Sequence, residues 1–115
     1  MKDFVLIFRS DSRVEVKLTP EGLATMSKDW ENWMGGIAAQ NKLVSPGKRL
    51  GFDGRSVKPG NIVTNGPYAE IKEMIAGLTI IRADSIEEAT EIAKSCPILN
   101  GGGNVEVRDV IPMNR

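Results

Sequence analysis

The densest group of side chains able to do chemistry lies between residues 64 and 73, in the run Thr-Asn-Gly-Pro-Tyr-Ala-Glu-Ile-Lys-Glu. A carboxylate such as Glu70 can act as a general base near neutral pH when burial raises its pKa, and Tyr68 can act as an acid or hydrogen-bond donor. Lys72 could hold an anionic group. The turn residues that begin at Asn65 predict a loop, where functional groups are often carried by a rigid scaffold.

Several common kinds of site are excluded by residue counts. The chain has no histidine, which removes the usual general base and the commonest metal ligand. Cys96 is the only cysteine, so no internal disulfide and no thiolate-rich metal site can form. The sequence therefore predicts neither a metal nor a cofactor. Cys96 falls on a predicted helix stripe, which favours a small buried hydrophobe over a reactive thiol.

Length and charge indicate one ordinary globular domain spanning residues 1–115. Fifteen basic residues balance fifteen acidic ones, and the basic residues are scattered, which disfavours binding to nucleic acid. The apolar run Phe4–Phe8 is too short for a signal peptide or a membrane span. We therefore expect a cytoplasmic protein with no membrane contact.

The first half of the chain predicts a strand, a loop, a helix and a strand-rich middle. A buried strand is expected at residues 3–9, an exposed loop at 10–18, and a helix from the cap Thr19 to about Asn41. The apolar stripe of this helix contains Leu23, Met26, Trp30, Trp33, Met34 and Ile37. Its two tryptophans are expected in the core, with a ligand pocket as the alternative.

Glycines and prolines divide the middle of the chain. Gly35-Gly36 predicts either a bend in the helix or close approach of another backbone. Residues 43–52 form a broken extended segment, and Asp53-Gly54 predicts a hairpin turn with residues 55–57 returning. A short strand at 62–64 then leads into residues 64–73, which we call the chemical stretch.

The second half predicts strand, helix and strand. A strand is expected at 77–83, and Ser85 to Glu88 form a capping box for a helix that Pro97 ends. The buried stripe of that helix is expected to contain Ile86, Ala89, Ile92, Ala93 and Cys96. A glycine turn at 101–103 precedes the last strand at 105–111.

This order is the split βαβ pattern of a ferredoxin-like α+β sandwich, with an antiparallel sheet and both helices on one face. Phe4–Phe8 and Leu78–Ile81 nevertheless place apolar side chains on both faces of the sheet. A homodimer whose sheets face each other is the simplest cover for the second face.

The segment Val63–Glu73, Gly77, the Ala83-Asp84 strand end, Cys96-Pro97 and Val105–Arg108 together resemble the YCII-related group often called the DGPF-domain proteins. Asn65 stands where the name-giving motif has Asp, and Tyr68 where it has Phe. The resemblance implies a ferredoxin-like fold assembled as a dimeric α+β barrel. Some members carry a His-Asp pair proposed to be catalytic, and this chain has no such pair.

Two functions remain open on these residues. The first is a dimer that binds a small polar or anionic ligand in a cleft beside residues 64–73. The second is a lyase or isomerase acting on a small carboxylated metabolite, with Glu70 or Glu73 as base and Tyr68 as acid. Two structural alternatives need neither ligand nor reaction. In one, the charged residues of 64–73 form a solvent-exposed turn, and in the other this loop lies at the dimer contact. The ligand-binding candidates are Asn65, Lys72, Arg82, Arg108 and Trp33.

Overall fold

The structure is a computed structural model that describes residues 1–11, 19–66 and 74–113. Its elements are β1 Lys2–Ser10, α1 Pro20–Ala39, β2 Leu43–Arg49, β3 Arg55–Lys58, β4 Ile62–Asn65, β5 Met74–Ala83, α2 Ile86–Ala93, a 3₁₀ turn Pro97–Gly101 and β6 Asn104–Asp109. Most of the expected loop at 10–18, and residues 67–73 of the chemical stretch, lie outside the described residues. The last strand ends two residues earlier than expected.

The main sheet is antiparallel, with its four strands in the order β2-β5-β1-β6. α1 connects β1 to β2 across the intervening strand β5, and α2 connects β5 to β6 across β1. Two interleaved βαβ units of this kind define the ferredoxin-like arrangement. The predicted α+β fold is confirmed.

Both helices begin at the predicted caps. The hydroxyl of Thr19 accepts a hydrogen bond from the backbone N–H of Gly22 at 3.0 Å, and the hydroxyl of Ser85 accepts one from Glu88 N–H at 3.1 Å. α1 runs unbroken through Gly35-Gly36, and a Cβ added at either glycine would have no neighbour within 4 Å. Close approach of another backbone at this pair, one of the two expectations, is therefore wrong within the described chain.

The core lies between the two helices and one face of the sheet. Because side chains alternate along a strand, Phe4, Leu6 and Phe8 of β1 all point to this face and are buried. The remaining core residues are Trp33, Ile37, Ile81, Ala83, Ala89, Ala93 and Cys96. Ile86, expected on the buried stripe of α2, is instead 46% exposed, because it occupies the first turn of the helix.

The middle of the chain differs from the prediction. β3 pairs with β4, from Arg55 opposite Asn65 to Lys58 opposite Ile62, in a separate two-stranded sheet. Its turn contains Gly60 and Asn61 with φ of 83° and 62°, the left-handed geometry that both residue types tolerate. The predicted hairpin at Asp53-Gly54 is wrong, because β3, the strand after this turn, pairs with β4, the next strand in the sequence.

No helix among the described residues covers the second face of the main sheet. Val5 and Ile7 of β1 and Leu78 and Ile80 of β5 alternate with buried residues and are themselves only half-buried. For the part of the chain that the structure describes, the sequence prediction that neither helix covers this apolar face is confirmed. We call these four residues, with the charged residues around them, the open face.

Candidate functional site

A pocket of about 420 Å³ lies between α1 and one end of the main sheet. The strands supply one wall, α1 supplies the other, and the 3₁₀ turn closes the side. Its lining residues are Phe8, Ser10, Asp11, Met26, Ser27, Trp30, Glu31, Met34, Pro46, Lys48, Arg49, Ala76, Gly77, Leu78, Thr79, Pro97, Ile98 and Gly101. A space of this size between a helix and a sheet is typical of small-molecule sites.

Aromatic packing fixes the apolar floor of the pocket. The rings of Phe8 and Trp30 meet edge to face, with centroids 5.0 Å apart and planes at 80°. Trp33 packs behind them, 5.6 Å from Trp30. Trp30 is only half-buried, so it belongs to the core on one side and to the pocket on the other. Met26 and Met34 extend this floor with side chains that adapt to the shape of a ligand.

An irregularity in β2 shapes the opposite wall. Pairing between β2 and β5 shifts on both sides of Ser45, and Gly47 adopts a φ of 73°. A Cβ on Gly47 would come within 1.8 Å of the carbonyl oxygen of Leu78, so only glycine fits there. The hydroxyl of the buried Thr79 donates to the carbonyl of Pro46 at 3.1 Å and fixes the bulge. The bulge brings Pro46 and Lys48 to the edge of the pocket.

Charged residues surround the pocket in two groups. β2 supplies Lys48 and Arg49, whereas Asp11, after β1, and Glu31, on α1, also line the space. Lys48 and Glu31 are both exposed to solvent. An apolar floor with cations on one element and carboxylates on others can orient a flat molecule that carries an acidic group and a hydrogen-bond donor.

The predicted residues Tyr68, Glu70 and Lys72 lie outside the described residues, so their roles stay predictions. Asn65 is the last residue of β4 and is exposed. The chain re-enters the described part at Met74, and Ala76, two residues later, lines the pocket. In sequence, the pocket wall is therefore close to the end of the chemical stretch.

Arg82 and Arg108 lie on the open face and not at the pocket. Arg82 is opposite Asp3 and Arg108 is opposite Val5, on the two sides of β1. The Nε of Arg82 is buried and has no hydrogen-bond partner among the described residues. Each buried donor of this kind needs an explanation, which a ligand or a second protein surface can supply.

A small ion-pair cluster occupies the same face. Glu106 accepts hydrogen bonds from Arg108 at 3.0 Å and from Arg9 at 3.4 Å. The hydrogen bond from Arg108, followed by the charges of Arg9 and Arg108, outweighs desolvation and holds the pKa of Glu106 below its ordinary value. Arg108 is thus engaged with an acid of its own strand.

Trp33, a predicted ligand-binding residue, lies in the core. Its indole N–H donates to the carbonyl of Ile92 at 3.2 Å and to the hydroxyl of Ser95 at 3.1 Å, which ties α1 to the end of α2. Of the two tryptophans, Trp30 is the one that lines the helix–sheet pocket. The core interpretation of Trp33 is confirmed, and ligand contact by Trp33 stays a prediction.

Cys96 is buried directly before the 3₁₀ turn, with 2% of its surface exposed. Burial raises the pKa of its thiol to about 11, although a backbone hydrogen bond from Ile98 opposes this shift. The thiolate is the reactive form, and a raised pKa leaves little of this thiol in that form near neutral pH. The interpretation of Cys96 as a buried hydrophobe is confirmed.

Sequence reasoning missed most of the pocket. Met26 and Met34 were assigned only to a helix stripe, and Lys48 only to a broken strand. The interruption of a strand by Pro46-Gly47 was the available signal, because such pairs mark bulges that often lie beside functional sites. Ile98 follows a helix-ending proline and carried no signal of its own.

No helix within residues 1–11, 19–66 and 74–113 is both long and apolar enough to cross a membrane. In those same ranges, no three potential metal ligands of the Cys, Asp or Glu type come together in a group.

Comparison with known proteins identifies a family and a fold. The model of the family described as YCII-related domain matches residues 4–114. No curated protein sequence matches the chain. Among solved structures, the chain is similar to 5-chloro-2-hydroxyhydroquinone dehydrochlorinase from Burkholderia phenoliruptrix AC1100, in complex with 2,5-dihydroxybenzoquinone. The TM-score is 0.53 at 16% identity, covering 94% of this chain and 93% of the other. Similarity at this level supports the ferredoxin-like fold.

Proposed function

The chain belongs to the YCII-related domain family, and we propose that it binds a small, flat, acidic molecule in the helix–sheet pocket. The observation that carries this proposal is the exposed side of Trp30. A large aromatic ring that packs edge to face on Phe8 yet lines an open space of about 420 Å³ leaves apolar area that a ligand can cover.

The charges around the pocket support the acidic character of the ligand. Lys48 and Arg49 lie on the β2 side, where they can attract an anionic group. Glu31 lies on the α1 side, where its carboxylate can accept a hydrogen bond from a ligand hydroxyl. A hydroxylated ring acid satisfies both sides at once, whereas a purely apolar ring leaves the rim unused.

Binding of 2,5-dihydroxybenzoquinone, the ligand of the structural neighbour, tests the proposal. It is flat and acidic, as the pocket requires. We expect saturable binding by calorimetry, weakened at least tenfold by Trp30→Leu and by Lys48→Ala. Lys28→Ala, an exposed lysine of α1 that does not line the pocket, and Phe52→Leu, an aromatic residue elsewhere, are the controls. Equal binding by all four variants would contradict this site.

An enzymatic role is the second candidate, and the dehydrochlorinase neighbour is the observation that favours it. In this version Glu70 is the general base and Tyr68 the acid in a lyase or isomerase reaction on a small carboxylated or similarly acidic metabolite. Chloride release from 5-chloro-2-hydroxyhydroquinone is the first activity to assay. Loss of turnover in Glu70→Gln with retained 2,5-dihydroxybenzoquinone binding supports catalysis. Binding without turnover in the unmodified chain leaves the binding role alone.

We also propose that the protein is a homodimer that buries the open face. Val5, Ile7 and Ile80, with the part of Leu78 that does not line the pocket, form an apolar strip that neither described helix covers. The partnerless Nε of Arg82 lies on the same face and needs an acceptor from outside the described chain. A second copy supplies both apolar cover and carboxylates. Light scattering that gives twice the chain mass supports this assembly, and a monomer at micromolar concentration contradicts it.

A further inference from the structure

The β3–β4 hairpin forms an arm, residues 55–65, that carries unburied apolar side chains on both of its faces. Val57 and Val63 pair across one face and are 71% and 59% exposed, and Ile62 on the other face is 57% exposed. A two-stranded hairpin is at best marginally stable without further packing. The arm therefore needs a surface that the described part of its own subunit does not provide.

A second exposed apolar segment follows β6. We call residues 110–113 the tail. Within it, Ile111 is 77% exposed and Met113 is 80% exposed. The tail is anchored at its start, where the backbone N–H of Val110 donates to the carbonyl of Asp3 at 3.0 Å.

Strand order and register place the arm and the tail at diagonally opposite corners of the sheet. The arm leaves from the β2 edge, at the end where Arg49 pairs with Gly77. The tail leaves from the β6 edge, at the other end of the strands, where Asp109 pairs with Phe4. A two-fold axis between two facing sheets, directed along the other diagonal, exchanges these corners. The strands of the two sheets then cross at near right angles, which is one of the two common ways for sheets to pack.

Buried area and charge both favour this contact. The four apolar side chains of the open face are already half-buried in their own subunit, whereas a stable interface buries about 800 Å² per partner. The arm and tail supply additional apolar area. The arm itself contains two cations and no acid, and Arg55, at its base, already pairs with Asp53 at 2.7 Å. Asp3 and Asp109 lie exposed at the tail corner, where Arg82 and Arg108 also lie. When the two corners meet, these two carboxylates come opposite Lys58 near the turn of the arm.

We infer that the arm packs on a second copy of this chain, and that the arm of each subunit contacts the tail of the other. The two contacts are identical and reciprocal, as the two-fold axis requires. This inference rests on the proposed homodimer and adds to it the axis, the crossing of the sheets and the partner surface of the arm.

Disulfide trapping between singly substituted chains tests the contact. Val63→Cys and Ile111→Cys are prepared separately, one with a mass tag, and mixed under mild oxidation. The native Cys96 is 2% exposed and gives little background. We expect a covalent heterodimer on a non-reducing gel, and much less self-linking of either variant alone. As a second measurement, Ile111→Asp is expected to weaken the dimer at least tenfold in sedimentation. Leu23→Asp, an exposed position on α1, should leave the dimer unchanged.

The outcomes separate this inference from the homodimer itself. A dimer by light scattering in which Val63→Cys links to itself, or in which no mixed product forms, overturns the arm–tail contact and leaves the homodimer standing. A monomeric unmodified chain overturns both.

Discussion

The two faces of the main sheet use the same strands for different purposes. On one face, Phe4, Leu6 and Phe8 are sealed by two helices, and the helix–sheet pocket opens at one end of that layer. On the other face, Val5 and Ile7 of the same strand are only half-buried, because neither described helix covers them. The comparison shows how a strand segment with no polar positions, here Phe4–Phe8, can support a core on one side and an interface on the other.

The two faces also differ in how their charged residues are arranged. At the pocket, Lys48 and Glu31 belong to different elements and line a common space. On the open face, Glu106 is already paired with two arginines of its own sheet. Lys48 and Glu31 are therefore placed to contact a small ligand, whereas the ion pairs around the apolar strip of the open face suit a protein surface.

The largest expected difference between the faces is in stability. Leu6→Ala removes a fully buried side chain and should lower the free energy of unfolding by about 2–5 kcal/mol at any protein concentration. Ile7→Ala, one residue along, should cost less, and its cost should grow with protein concentration because part of it is lost dimer contact. Urea unfolding at two concentrations measures both. Equal costs for the two variants would show that the faces do not differ.

Assembly should respond to a charge on the open face. Ile80→Glu places a carboxylate in the middle of the apolar strip, and we expect the dimer to weaken at least a hundredfold, roughly 2.7 kcal/mol. Sedimentation velocity measures the change, with Leu23→Glu, at a 40% exposed position of α1, as the matched control. Circular dichroism should remain that of the folded chain. A dimer indifferent to Ile80→Glu would place the interface elsewhere.

The sealed face should also protect its thiol. Since burial raises the pKa of Cys96 from 9.0 to about 11, the thiolate fraction at pH 8 falls about a hundredfold, and alkylation should slow at least as much relative to the urea-unfolded chain. The raised pKa also means that this burial stabilises the fold fully below pH 9.0, and that the contribution is lost as pH rises towards 11. Rapid labelling of the folded chain at pH 8 would contradict a sealed core at this position.

The smallest effect concerns Glu106 on the open face. Its pKa is lowered in the folded chain, so its ion pairs stabilise the fold above the ordinary value of 4.5, and that contribution is lost as pH falls through the lowered pKa. Glu106→Gln should therefore flatten the acid limb of the stability curve slightly. Unfolding measured from pH 6 to pH 3 checks this. If the free energy of unfolding of the variant falls as steeply between pH 6 and pH 3 as that of the parent chain, the ion pairs of Glu106 do not contribute to stability.

Local signals in the sequence predicted most of the fold. The caps at Thr19 and Ser85 and the apolar run of β1 are each contained within a few residues, and the structure has them where expected. The hairpin was misplaced because Asp53-Gly54 and Pro59–Asn61 are both good turn sequences, and only the pairing of β3 with β4 decides between them.

The candidate site was harder to predict because distant parts of the chain form it. Phe8, Trp30, Pro46 and Ile98 come from four different elements, and no short motif connects them. Trp30 and Trp33 lie three residues apart on one stripe, so spacing alone assigns both to the core. Only the packed structure shows that one of them also lines the helix–sheet pocket.

Indole N–H signals measured by nuclear magnetic resonance during titration with 2,5-dihydroxybenzoquinone test the central claim most directly. The chain has two tryptophans, so two indole signals report on the pocket and on the core behind it. The account predicts that the Trp30 signal shifts with saturation, while the Trp33 signal, hydrogen-bonded to Ile92 and Ser95, moves several-fold less. Saturable binding that moves Trp33 and leaves Trp30 in place would contradict it.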